Sequence, residues 1–401
     1  MSKKIVIIYF GDYWDDRWRR RQQLAMRLAQ KHEIERVFYI EMPASIPELI
    51  KSLSGMAEQG VSERWKRILK HGLIYPLEKI EIVTPVSLLP YFGYRFNFDK
   101  TFVRFLTYRL LRNTIKQYSV THKLILWVSH PFAADYIGKF NEDFVCYDCT
   151  EKFSEFEEWG TKLRETVEKN DIYITQKANL VFTQTTTVLL EKKKINQNTY
   201  LISNAVDYDN FSHICSPESY LSDIKAIRRP VLGFLGMYNN KIDGNLLTKV
   251  ANTFPECSIV FLGINTRDGD FTILKNYNNV HYLGPKPFNQ IPKYLQFLDV
   301  CLLPYKIEGN NRGGSPLKLF DYLASGNPIV STKVSGTEEF GDVVTLAQNH
   351  EEFIDGIKSA LSENDLSMQI KRKEKAKENS WEIKTDQIWS LIQKSLTEKQ
   401  L

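Results

Sequence analysis

The chain has 401 residues, 43% of them hydrophobic, which is too long for one ordinary core and carries enough apolar material for two. Its 53 basic and 48 acidic residues leave a formal charge of +5, which excludes a nucleic-acid protein defined by bulk charge. Five cysteines scattered along the chain make no disulfide framework and suit a reducing cytoplasm.

The N-terminus, Lys3 to Phe10, is basic and then apolar, but its apolar run is too short for a signal peptide and Asp12, Asp15 and Asp16 follow at once. It reads as a first buried strand. No stretch has the uninterrupted apolar length of a membrane span. Gly11-Asp-Tyr-Trp-Asp-Asp-Arg-Trp-Arg-Arg-Arg follows as a loop entering a helix near Arg17 to Lys31. Trp14 can stack on a ligand ring or cap a core edge, and Arg17 and Arg20 are candidate anion contacts at this strand end, Arg20 before Arg17. Further strands are expected at Glu35 to Glu41 and Ile80 to Pro85.

Leu88 to Tyr118 is crowded with aromatic and basic residues; Arg95, Lys100, Arg104, Arg109, Arg112 and Lys116 face a single acid, Asp99. That composition fits an interfacial helix on an anionic membrane, with Trp65 to Lys70 as a smaller companion, or an amphipathic helix packed on a sheet. Strands at Leu124 to Ser129, Val145 to Tyr147 and Leu180 to Thr183 complete a first set of short apolar runs between helical stretches. This is the pattern of a parallel sheet covered on both faces. His130 follows one strand, where its ring can bond a ligand hydroxyl, manage a proton, or be satisfied by backbone. Asp148 ends another, and can bind hydroxyls, act as a base, or cap the next helix. Cys146 and Cys149 form one Cys-x-x-Cys with no second pair, so they read as buried strand-end thiols rather than zinc ligands or a redox pair.

A second alternating set begins at Arg229 to Gly236 and continues through a helix near Asp243 to Thr253 and the strands Ser258 to Leu262 and Val280 to Tyr282. A helix near Ile291 to Phe297, the strand Val300 to Leu303 and the strand Ile329 to Ser331 follow, so the chain is α/β with two Rossmann-like units. Lys241 lies in the loop after the first strand of this set, where open α/β sheets bind ligands, and Asn239 and Asn240 are turn formers. The charge run Lys371 to Lys377 precedes a terminal helix, Trp381 to Lys394.

The most informative stretch is Gly309 to Thr332. Ser315 suits an N-cap, Pro316 the first helical position, and Gly326 the left-handed residue that ends a helix. The first turn of that helix leaves N–H groups unpaired, and Gly313 and Gly314 let a ligand approach the backbone, so phosphate is the natural guest. Gly314, Ser315, Leu317 and Lys318 would form the cradle, with Arg312 as a second clamp whose fork matches phosphate geometry. Asp321 lies three residues after Lys318 on the same face and can address an adjoining diol.

Pro316-Leu-Lys-Leu-Phe-Asp-Tyr-Leu-Ala-Ser-Gly-Asn-Pro-Ile-Val-Ser-Thr332 resembles the donor-site signature of the retaining family 4, or group 1, glycosyltransferases. Ser203-Asn-Ala-Val-Asp207 is similar to the linker of that family, and Gly11 to Ala25 resembles the opening of its bacterial envelope-polysaccharide branch. The resemblance implies a GT-B fold of two Rossmann-like domains whose parallel sheets face a cleft. It implies an acceptor-side domain over 1–205, a nucleotide-sugar domain over 206–378 and a helix over 379–401 crossing back to the first. It also implies sugar transfer with retention from a nucleotide-diphosphate-sugar to a cell-envelope glycan or lipid-linked acceptor, with no metal or other cofactor. Lys241 and Lys318 would face the diphosphate, Asp321 the ribose, and His130 and Asp148 the reacting sugars. Asp321 replaces the second Glu of the family's Glu-x7-Glu, and Gly313 stands where the first belongs. The expected location is cytoplasmic, peripheral on the inner membrane face through 88–118, with no nucleic-acid partner. A nucleotide-sugar epimerase and a catalytically silent sugar-nucleotide binder are the alternatives.

Overall fold

The structure, a computed structural model, describes all residues except 1–2, 16–17, 57–58, 90–96, 153–159, 213–220, 267–268, 270–271, 308–313 and 399–401. Two compact units divide the chain. One comprises Met1–Thr183, Val188–Leu201 and Thr385–Leu401, and the other Gln184–Thr187 and Ile202–Lys384.

Strands β1 (Ile5–Phe10), β2 (Ile34–Ile40), β3 (Ala44–Ser45), β4 (Ile74–Leu77), β5 (Ile80–Val83), β6 (Val86–Ser87), β7 (Lys123–Val128), β8 (Phe144–Cys149), β9 (Leu180–Thr183) and β10 (Thr199–Leu201) belong to the first unit. They form a sheet in the order β10-β9-β8-β7-β1-β2-β5-β4, with β3 and β6 pairing separately. All neighbours in the large sheet are parallel except β4 and β5, an antiparallel edge that the apolar pattern does not announce because β4 is only half-buried. The central strands are buried and largely apolar, with Lys123 at the start of β7 and Asp148 near the end of β8 as the charged residues among them, since helices cover both faces. The Asn97–Thr121 helix packs Leu111 and Ile115 into this core.

The second unit carries β11 (Val231–Leu235), β12 (Ser258–Leu262), β13 (Val280–Tyr282), β14 (Val300–Leu303), β15 (Ile329–Thr332) and β16 (Thr345–Ala347). They run parallel in the order β13-β12-β11-β14-β15-β16. In both sheets the order reverses beside the first strand, between β1 and β7 and between β11 and β14. Connections leave opposite faces there, so the carboxyl ends open a crevice.

The charge run Lys371 to Lys377 is itself helical, within Leu366–Glu378, because Arg372 turns inward onto Glu363 and the carbonyls of Val343 and Gly326. Residues from Thr385 onward in the terminal helix belong to the first unit, where Gln393 Nε2 donates to Glu33 at 2.8 Å. The second unit already begins at Ile202, since Asn204 Nδ2 bonds Gln184 Oε1 at 3.1 Å and the Ser315 carbonyl at 2.9 Å.

At the end of β12, Gly263 has φ +153°, and a Cβ there would lie 1.9 Å from the carbonyl oxygen of Gly236. Backbone cannot move aside as a flexible side chain can. Gly263→Ala is therefore expected to lower the stability of the second unit by at least ~2 kcal/mol in urea denaturation. Gly314→Ala, where a Cβ meets nothing within 4 Å among the described residues, should leave the midpoint unchanged.

Candidate functional site

In the second unit the crevice between β11 and β14 is occupied by the start of the Leu317–Ser325 helix. Tyr322 holds it there. Its hydroxyl accepts from the Leu235 N–H at 2.7 Å and donates to the Leu302 carbonyl at 3.4 Å, while Leu319, Phe320 and Leu323 are fully buried. Gly326 ends the helix with φ +82°, the left-handed geometry expected of it. The start differs from expectation by one residue: Pro316, not Ser315, is the N-cap, and among the described residues it has no side-chain cap hydrogen bond. Ser315 points instead at the loop after β15, where a Cβ on Gly336 would lie 2.9 Å from its Oγ. That hydroxyl is buried without a hydrogen-bond partner among the described residues. Among the described residues the helix start is thus an electropositive end without a side-chain cap.

Lys318 reaches back over the sheet end. Its Nζ lies 4.1 Å from the centre of the Phe234 ring and 5.3 Å from that of Tyr305, beside Gly236. Burial pushes it down to about 7; Asp321 opposes the shift and Lys241 adds to it. Asp321 is pushed up to about 7 by burial and by Asp207, against the pull of Lys318. The Lys241 loop is pinned by Tyr238 N to the Ile264 carbonyl, Asn239 Oδ1 to the Lys241 N–H, and Lys306 N to the Lys241 carbonyl. Lys241, Ser315, Lys318 and Asp321 are therefore brought to one sheet end, with Gly314 and Leu317 beside them. Arg312 lies outside the described residues. Asn204, Asp207, Phe234 and Tyr305 were not singled out from sequence for this site. Only the strand-end positions of the two aromatic residues signalled them.

The first unit treats its candidates differently. Arg20 donates to Asp148 from Nε at 3.1 and 3.0 Å and from an Nη at 2.8 Å, and both side chains are buried. Each is matched by the other, which corrects their assignment as an anion contact and a base or hydroxyl ligand. Arg17 lies outside the described residues. Arg19 and Arg21 pair with Asp12 at 3.0 and 3.1 Å. Trp14 packs edge-on against Tyr39 at 4.8 Å, and its backbone N–H donates to Glu41 Oε1 at 2.5 Å while Arg67 donates to its carbonyl at 3.2 Å. Glu41 also bonds Arg67 and Thr84, so Trp14 is a half-buried core edge clamped by an ion pair that sequence reasoning missed. His130 caps a short 3-10 turn, its Nδ1 accepting from Phe132 N at 3.2 Å. Burial and nearby Arg21 push it down to about 3, so it offers a neutral ring rather than a change of charge. Cys146 and Cys149 are buried in β8, and burial pushes the Cys149 thiol up to about 12.

Residues 229–363 match the family described as glycosyl transferases group 1. TuaH of Bacillus subtilis (strain 168), named for glycosyl transfer in teichuronic acid biosynthesis, is 27% identical over 227 residues, 53% of this chain. The match spans 56% of that relative's length, about half. Sucrose-phosphate synthase from Thermosynechococcus elongatus superimposes with a TM-score of 0.70 at 11% identity, covering 99% of this chain and 100% of the other. Anabaena HepE in complex with UDP and glucose gives 0.63 at 13% identity, covering 98% and 100%. The fold is GT-B, two Rossmann-like domains.

Removing Asp148 leaves the buried Arg20 guanidinium unpaired. Asp148→Ala is expected to cost about 3–5 kcal/mol in the unfolding of the first unit, and the double change Arg20→Met with Asp148→Leu distinctly less.

Proposed function

We propose that this chain, whose residues 229–363 form a group 1 glycosyl transferase domain within a GT-B fold, moves a sugar from a nucleotide-diphosphate-sugar to a cell-envelope glycan or lipid-linked acceptor. The observation that carries the proposal is the helix start at Pro316, with Lys318, Lys241 and Asp321 converging at the crevice between β11 and β14. The diphosphate lies on the helix start, where N–H groups and the two lysines stabilise the charge that develops as the glycosidic bond breaks. Asp321 accepts from the ribose hydroxyls. These cations carry the leaving group, so the step as proposed needs no metal. The complexes of HepE with UDP and with UDP-glucose support the same ligand class.

The acceptor is proposed to reach the protein at a membrane surface. No helix among the described residues is long and apolar enough to cross one. The Asn97–Thr121 helix, however, exposes Phe105, Tyr108, Arg109, Arg112, Lys116 and Val120 along one side, with no acid from Lys100 to Thr121. That stripe supports peripheral, cytoplasmic-face attachment to anionic lipid. Its companion at Trp65 to Lys70 is less suited, since Trp65 and Ile68 are core residues and Arg67 is held by Glu41.

Lys318→Met and Asp321→Ala are each expected to reduce transfer by ~10²-fold or more, and wild-type turnover should persist in excess EDTA. The pH dependence has a definite sign. Above about 7 the free protein holds Lys318 neutral, and a bound diphosphate requires it charged. Binding then takes up a proton, so UDP affinity should fall by up to ~tenfold per pH unit above 7, about 1.4 kcal/mol. Calorimetry should show this slope in the wild type and its absence in Lys318→Met. Flotation with phosphatidylglycerol vesicles should be lost on Arg109→Glu with Arg112→Glu; unchanged flotation refutes the membrane stripe.

A further inference from the structure

The first unit contains a cavity that the nucleotide reading does not use. It opens at the carboxyl ends of β1, β2 and β7 as a half-open pocket and is bounded on one side by the Asn97–Thr121 helix. Its walls are largely apolar, with the rings of Phe10, Phe132 and Tyr136 among them. Its charged groups are few. Lys100 Nζ lies 2.6 Å from Asp135 Oδ2, and Arg104 reaches the same oxygen only at 3.4 Å, with a second long bond of 3.4 Å to Thr101 Oγ1. Glu41, the other acid in the wall, is committed to Arg67, Thr84 and the Trp14 N–H. His130 is neutral, as its burial requires. One carboxylate oxygen therefore serves two cations at the rim of an apolar chamber, and the Arg104 side chain retains 40% exposure toward an incoming partner.

We propose that this cavity binds an anionic, sugar-sized group, with Arg104 as the contact to its carboxylate or phosphate and the aromatic walls against its apolar face. The guanidinium fork suits either oxyanion, and closing on it replaces a long contact to Asp135 with a direct charge-assisted pair. The inference rests on the glycosyl-transfer reading only in making this group part of the acceptor; the binding stands on the cavity. An acceptor site of this kind would favour acidic sugars, or sugars carried on a lipid phosphate, over neutral ones.

The test is calorimetric titration of the full chain with glucuronate, glucose 6-phosphate and glucose, alongside flotation on phosphatidylglycerol vesicles. At least one anionic sugar is expected to bind ten times more tightly than glucose. Arg104→Gln should weaken that binding at least tenfold, Arg104→Lys should recover part of it, and UDP affinity should stay unchanged in both. Arg104-dependent flotation without binding of the soluble sugars assigns the anion to a lipid headgroup and upholds the proposal. Equal binding of charged and neutral sugars, anion binding indifferent to Arg104→Gln, or no Arg104-dependent binding in any arm overturns it. Failure of the wild type to bind UDP while the anionic sugar still binds would sink the glycosyl-transfer reading and leave this one standing.

Discussion

The Tyr322 hydroxyl is the contact on which the second unit's site depends. It bridges the Leu235 N–H of β11 and the Leu302 carbonyl of β14, the two strands between which the sheet order reverses. A parallel sheet leaves strand-end backbone groups unpaired at such a reversal, and a buried unpaired group is costly. Tyr322 satisfies them from the middle of a helix, and in doing so fixes where that helix begins. With Leu319, Phe320 and Leu323 buried on the same side, the first turn is left at the crevice, with no side-chain cap among the described residues.

That placement explains the electrostatics. Lys318 is carried over Phe234 and Tyr305, where lost hydration favours its neutral form, and Asp321 is drawn in beside Asp207, where its proton is favoured. Neither neighbour fully compensates the other. The first unit shows the opposite solution. Arg20 with Asp148, Arg21 with Asp12 and Arg67 with Glu41 are matched pairs that anchor its first loop and helix, and paired buried charges hold structure rather than await a ligand. At the rim of the cavity in that unit, by contrast, Arg104 is held loosely.

Much of the architecture was legible along the chain because parallel strands buried on both faces must be apolar throughout, and β1, β9, β12 and β14 appear where such runs occur. The short or half-exposed strands β4, β10 and β16 carry no such run and were not visible. Gly326 was readable because only a left-handed end lets the chain turn into β15, and Lys318 and Asp321 because helical spacing places them on one face. Ser315 was misplaced by one residue: its intrinsic capping preference gives way to the close approach of Gly336.

By itself, then, the sequence determined two alternating α/β units and the ligand-facing run of the second, since periodicity and turn chemistry act over a few residues. Tertiary structure decided which charges are available. Arg20 and Asp148 are 128 positions apart, and nothing local distinguishes a guanidinium that will be spent on a buried carboxylate from one that will meet a substrate. Arg104 and Asp135, or Lys318 and Phe234, likewise meet only once the strands are ordered. Availability of charge depends on solvent exclusion and on partners brought from distant segments, and the folded chain alone sets both.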